Sequence, residues 1–194
     1  PQAANQSQSA IRHIMQLLGR QRVDEAVQAC LAFAQANPSS IDAVLLLGKA
    51  RQMQGRFEDM LQLSEAALRR NARDLDLQLQ FVEACQFCGR HDRALEQLAL
   101  AERTTRNDAG LLQKVAKLYV SAGKYEDAHR CYLRAVELAG NNPHYLYNLA
   151  SSFIFMGDLG QAENTYSKVI SLAPDHYDAW HNRSTLRKQT AADN

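Results

Sequence analysis

The sequence is short of everything that builds a sheet-rich, disulfide-stapled or membrane-spanning protein. Four prolines and nine glycines in 194 residues are too few to punctuate many short strands, and runs of alternating β-branched residues are scarce. With abundant Ala, Leu and Gln, that shortage points to helices joined by short turns. Four cysteines, Cys30, Cys85, Cys88 and Cys131, are too few for a disulfide framework and read as reduced thiols. They favour a reducing compartment, the cytoplasm. No apolar run approaches the roughly 20 residues that cross a bilayer. An excess of one charge is missing too: 22 Lys and Arg against 21 Asp and Glu, net +1. That argues against the broad cationic footprint of nucleic-acid or acidic-membrane binding. The opening Pro1–Ala10 is polar, without an initiator Met or a signal-type apolar segment. The sequence therefore reads as a piece of a longer chain, from which an upstream targeting signal could have been lost.

What is present is a repeat. The phrases Gly55-Arg56-Phe57-Glu58-Asp59, Gly89-Arg90-His91-Asp92-Arg93, Gly123-Lys124-Tyr125-Glu126-Asp127 and Gly157-Asp158-Leu159-Gly160-Gln161 succeed one another at 34 residues. A weaker copy, Gln21-Arg22-Val23-Asp24-Glu25, lies one period upstream. Taking the glycine as position 15 divides the chain without insertion into units 7–40, 41–74, 75–108, 109–142 and 143–176. A repeat of this length is one supersecondary unit that buries its apolar face only by stacking on its neighbours.

Apolar residues recur three and four apart within each half of a unit, as two amphipathic helices require. Position 7 reads Leu47, Phe81, Val115 and Leu149; position 20 reads Ala26, Met60, Ala94, Ala128 and Ala162; position 27 reads Phe33, Ala67, Ala101, Ala135 and Val169. Glycine at position 15 ends the first helix in the left-handed conformation without a Cβ penalty. Asp or Glu at position 18 or 19 suits the positive end of the second helix. Pro38 and Pro174 end the second helix in two units. Position 8 is expected to face position 20, giving the pairs Gly48 with Met60, Val82 with Ala94, Ala116 with Ala128 and Ala150 with Ala162. In the first pair a bulky residue meets a missing side chain, which reads as volume compensation.

These residues resemble the tetratricopeptide-repeat (TPR) family over essentially the whole chain. The unit 143–176 carries the likeness through Leu149, Ala150, Phe153, Gly157, Ala162, Tyr166 and Pro174. The unit 109–142 carries it through Ala116, Tyr119, Gly123, Tyr125, Ala128, Tyr132 and Ala135. The first unit is degenerate, with His13 at position 7 and Gly19 two residues before the expected turn. Beyond 176 the pattern restarts as Tyr177-Asp178-Ala179-Trp180-His181-Asn182 and covers about one helix, 177–190, a capping helix or a truncated sixth repeat. The resemblance implies an all-α, right-handed α-solenoid of antiparallel helix pairs forming a single domain.

It also implies a function: a scaffold that binds a peptide or helical segment of another protein along a concave groove. The groove positions fall on Leu45, Lys49, Met53, Leu79, Gln80, Glu83 and Phe87. Further along they fall on Gln113, Lys114, Lys117, His144, Tyr147, Asn148, Ser151, Phe155, His181 and Asn182. Aromatic and aliphatic anchors among amides suit such a ligand, although Phe87 and Phe155 have an equal claim to pack between hairpins. Position 6, reading Gln80, Lys114, Asn148 and Asn182, resembles an incomplete amide ladder for a peptide backbone. The carboxylate clamp of chaperone-adaptor TPR domains is not reproduced: its best window supplies Gln113, Lys117, Asn148, Asp178 and Asn182, with an acid where a cation belongs.

Reactive chemistry has little to stand on. Cys85 and Cys88 are spaced as a metal or redox pair with His91 nearby, but Cys85 takes a core position and a second ligand pair at a suitable spacing is missing. His176, Asp178 and His181 cluster at a helix start, where Asp is equally a cap. No glycine-rich phosphate loop, nucleophile elbow or paired-carboxylate motif occurs. The chain is expected to be neither an enzyme nor a cofactor or metal binder. Two other roles stay open. The ending Trp180–Thr190 resembles the junction in bacterial TPR proteins that continue into a sulfotransferase domain, which would make this the non-catalytic arm of an enzyme. Self-association through an exposed end or face is the other.

Overall fold

The computed structural model describes residues 2–192, with side chains for residues 5–188, and every regular element among them is a helix. The helices divide between two compact units, Pro1–Gln97 and Leu98–Asn194. The first holds α1 (Gln2–Gly19), α2 (Val23–Ala36), α3 (Ile41–Met53), α4 (Phe57–Leu68), α5 (Leu75–Phe87) and the opening of α6 (His91–Thr104). The second holds the end of α6, then α7 (Ala109–Ser121), α8 (Tyr125–Ala139), α9 (Pro143–Phe155), α10 (Leu159–Leu172) and α11 (Tyr177–Ala192). Within each unit, consecutive helices pack as hairpins: α1 on α2 and α3 on α4 in the first, α7 on α8 and α9 on α10 in the second. Hairpins then stack on hairpins through α2 on α3, α4 on α5 and α8 on α9.

The starts of the first helices, Ile41, Leu75, Ala109, Pro143 and Tyr177, repeat at the 34-residue interval, as do those of the second helices from Val23 to Leu159. Local chemistry sets both. Ser40, Asp74, Asp108 and Asn142 each accept a backbone N–H from the first turn of the next helix, at 3.2, 2.9, 2.9 and 3.0 Å. These caps satisfy donors a helix start leaves unpaired. At the other end, Gly55, Gly89, Gly123 and Gly157 sit at φ 71, 68, 70 and 78°. The residue after each donates its N–H five residues back, as from Arg56 to Arg51 and Lys124 to Tyr119, the closure of a Schellman turn. The degenerate first turn is built the same way with Arg22 on Leu17, but Gln21, not Gly19, takes the left-handed conformation, at φ 58°.

The buried lines track the repeat. Position 20 is closed to solvent in all five units, from Ala26 and Ala162 at 0% to Met60 at 1%. Ile14, Val27, Cys30, Phe33, Ala43, Leu47 and Ala50 form a core in the first unit. Leu146, Ala150, Ala162, Tyr166, Val169, Ile170, Ala179 and Leu186 form one in the second. In α1 positions 8 and 11, Ile14 and Leu17, are buried as in other first helices, while His13 at position 7 is exposed, which is why this helix reads poorly against the others. Gly48 has a neighbour that the repeat pattern does not pair with it. A Cβ there would lie 2.3 Å from Gln80 Nε2 and 2.5 Å from its Cδ and Oε1, so the missing side chain makes room for Gln80 of α5.

Charge pairs join elements that succeed one another along each unit. Arg90 and Arg93 reach Glu58 and Glu65 on α4 at 3.6 and 2.9 Å. Arg130 on α8 grips Glu102 with two nitrogens at 3.0–3.1 Å, and Arg187 on α11 reaches Glu163 on α10. In each of these, which join different hairpins, the arginine comes from the later element; within the α3–α4 hairpin the order is reversed, Arg51 of α3 reaching Asp59 of α4 at 3.8 Å.

Candidate functional site

The predicted groove residues lie on the first helices of the hairpins, and each unit presents its own face. In the first unit, Leu79 and Gln80 are buried. Gln80 Nε2 donates to the Leu45 carbonyl at 2.8 Å, while its Oε1 is buried without a partner. The open part of the face is Lys49, Met53 and Phe87, with Leu45 and Glu83 half-buried. Lys49 donates to Gln52 at 2.7 Å. Burial pushes the Glu83 carboxyl above its ordinary range, and the Lys49 ammonium opposes the shift. Phe87 is 49% exposed yet fixed, its ring stacked on Phe57 at 4.5 Å between centroids.

In the second unit, three predicted residues converge on Tyr166, a residue to which the repeat pattern assigns only packing. Asn182 Nδ2 donates to the hydroxyls of Tyr147 and Tyr166, both at 3.1 Å. The Ser151 hydroxyl lies 2.8 Å from the Tyr166 hydroxyl. Tyr166 is wholly buried, so this network satisfies a phenol that desolvation would otherwise leave costly. Tyr147 also stacks on His176 at 4.8 Å, whose Nδ1 accepts the Ala179 N–H at 3.3 Å. His176 therefore acts as a cap for α11. Gln113 is buried, and its Nε2, like Asn148 Nδ2, has no partner. Lys114, Lys117, His144 and His181 are exposed. Phe155, 51% exposed, stacks on Tyr125 at 4.6 Å, beside a cavity of about 460 Å³ that also touches Lys124, Glu126, Asp127 and Met156.

The two half-exposed phenylalanines are thus held alike: position 13 of one hairpin lies flat on position 17 of the hairpin before it. The signal is present in the sequence, because Phe57 and Phe87, and Tyr125 and Phe155, are each 30 residues apart. On the line of position 6, the amide donors of Gln80 and Asn182 are committed within the chain, which leaves Asn148 with its N–H unengaged.

Cys85 is fully buried, and desolvation raises its thiol to about 11. Burial raises Cys88 too, with Glu58 adding to the shift. Thiols moved in that direction are protonated at neutral pH and make poor nucleophiles. No group of three or more His, Cys, Asp or Glu side chains is gathered as a metal site among the described residues. Among the same residues no helix is long and apolar enough to cross a membrane.

Comparison with known proteins agrees with this architecture. Residues 115–154 and 143–176 match two family models of the tetratricopeptide repeat. Among solved structures, TTC0263, a TPR protein of Thermus thermophilus, superimposes with a TM-score of 0.70 at 23% identity, covering 93% of this chain and 98% of that one. YrrB, described as a TPR protein with an unusual peptide-binding site, gives 0.61 at 18% identity, covering 90% of each. A TPR protein from Parabacteroides merdae ATCC 43184 gives 0.71 at 15% identity, covering 95% of this chain and 73% of that one. No curated protein matches the sequence. Residues 115–176 thus match the tetratricopeptide repeat, and the chain has the fold of helix hairpins these structures share.

Proposed function

We propose that this chain of tetratricopeptide repeats is a protein-interaction scaffold that holds a peptide or helical segment of a partner against the first-helix faces of its hairpins. One observation carries the reading: Phe87 and Phe155 are each fixed by a stacked ring, yet each leaves about half of its surface in water. An aromatic side chain held rigid before a partner arrives loses little entropy on binding, and such anchors dominate interface energetics. The first helices also expose Lys49 and Met53, with Glu83 half-buried, in the first unit and Lys114 and Lys117 in the second, side chains that suit contacts at a rim. YrrB, described as having a peptide-binding site, is a precedent for a ligand on a fold of this kind.

The test is a random peptide library panned on the chain. Selected peptides should bind Phe87→Ala or Phe155→Ala about tenfold or more weakly, the loss typical of an interface anchor. Helix content by circular dichroism should be unchanged. Peptides indifferent to both substitutions would remove the anchors, and this reading with them.

A further inference from the structure

The face of α11 that carries Trp180, Arg183, Ser184, Arg187 and Lys188 lines a shallow cavity of about 400 Å³. These residues keep the three-and-four spacing of one helix face. One period earlier, the same register on α9 reads Leu146, Leu149, Ala150 and Phe153. Leu146 and Ala150 pack with Ala162 and Tyr166 of α10 in the core of the unit, Phe153 packs partly buried against them, and Leu149 is buried. One period before that, on α7, it reads Leu112, Val115, Ala116 and Tyr119, all buried. On α11 an apolar seam has become one aromatic residue and two guanidiniums, with a lysine in the next position.

The change is specific in its chemistry. A face meant only for water has no use for tryptophan, yet Trp180 is 44% exposed and Tyr177, one turn earlier, is 83% exposed. Trp180 is also held in place: its Nε1 donates to the Pro174 carbonyl at 3.0 Å, and the Arg183 guanidinium lies 4.6 Å over its ring. Arg183 gives Nη1 to Ser167 at 3.2 Å, which orients the rest of its donor fork. Arg187 already holds one carboxylate, that of Glu163. Lys188 has no ion-pair partner among the described residues, and no carboxylate lines the cavity.

We infer that this face of α11 is a second docking surface, built from residues other than the Phe87 and Phe155 anchors, and that it takes an acidic protein segment. An apolar side chain of the segment sits against Trp180 and Tyr177, and carboxylates one to two turns on meet Arg183, Arg187 and Lys188. Rim charges of this kind steer and orient a partner of opposite sign. The charge complementarity selects the class of partner. Duplex nucleic acid is engaged through many phosphate contacts, whereas the cavity offers three cations on one helix, in a chain of net charge +1.

Trp180 is the only tryptophan, so its emission reports this face alone. The probe is a glutamate-rich amphipathic peptide with leucines along one side, titrated into the full chain against a counterpart carrying lysine for glutamate. The acidic peptide should shift Trp180 emission saturably. The shift should be lost at about 1 M salt, where the screening length is about 3 Å. Arg183→Gln with Lys188→Gln should weaken binding on the order of tenfold, the combined effect of two exposed charge pairs. Lys49→Ala with Phe87→Ala should leave it unchanged, so failure here and failure of the anchor reading are told apart. A flat titration, an equal response to the lysine peptide, or binding indifferent to the α11 double substitution overturns the inference. So does a response elicited only by vesicles of anionic phospholipid, or one that needs only a rise in protein concentration.

Discussion

Substituting Gly48 by alanine should destabilise the protein, although helix propensity alone predicts the reverse. Gly48 lies inside α3, where alanine is favoured over glycine by about 1 kcal/mol. The new Cβ, however, would stand 2.3 Å from Gln80 Nε2. The amide is the movable end of its side chain, but Gln80 is only 9% exposed and is tied to the Leu45 carbonyl at 2.8 Å. Displacing it removes a hydrogen bond with a net worth of about 1 kcal/mol. It also forces the amide into occupied space, an overpacking cost of about 1–3 kcal/mol. After the propensity gain, a loss of about 1–3 kcal/mol remains. The measurement is urea unfolding followed by circular dichroism, in two backgrounds. With Gln80→Ala already in place the clash is gone, and Gly48→Ala should turn stabilising by up to about 1 kcal/mol. A coupling of about 2 kcal/mol or more in the double-mutant cycle is therefore expected. Stabilisation in the parent background, or equal effects in both, refutes the reasoning.

Gln21→Gly removes a non-glycine residue from φ 58°, a conformation costing about 1–2 kcal/mol. It should raise the unfolding free energy by about 1 kcal/mol once glycine's extra chain entropy is counted, and hydrogen exchange in α1 and α2 should slow. At Glu83, burial raises the folded carboxyl above its unfolded value, so the folded state binds the proton more tightly. Stability from this group is fully present below the unfolded value and lost as pH rises through the folded one. Glu83→Gln should therefore stabilise at neutral pH, with the gain shrinking as pH falls through the carboxylate range. A gain independent of pH would assign the effect to something other than ionisation.

The regular part of the fold is legible because its punctuation is chemical. A left-handed turn selects glycine at Gly55, Gly89, Gly123 and Gly157, and each glycine is visible as a letter. The first hairpin hides because Gln21 adopts the same backbone without the same residue. The caps Ser40, Asp74, Asp108 and Asn142 are equally visible but lie at the unit boundary, outside the apolar pattern that marks the helices. Contacts within a hairpin follow from periodicity; contacts between hairpins depend on how the helices stack, which a period does not encode. Position alone therefore pairs Gly48 with Met60 and does not show that Gln80 of the next hairpin crowds the same glycine. The same limit applies to the face residues. Exposure of Phe87 and Phe155 could be expected, but the rings beneath them, Phe57 and Tyr125, belong to the preceding hairpin. Burial of Leu79 and Gln113 is likewise set by packing between helices.

The arginine–carboxylate pairs that join one hairpin to another have a direction. At Glu58, Glu65, Glu102 and Glu163 the acid is supplied by the earlier element and the arginine by the later one. A hairpin of this kind is therefore unlike at its two flanks, acidic toward its successor and basic toward its predecessor. Copied in tandem, such a hairpin meets opposite charge at each new junction; inverted, it meets its own sign. A gene that grows by duplicating whole units inherits this grammar without further mutation. The pairs, worth little singly on an exposed surface, serve as a rule for the order in which repeats can be added.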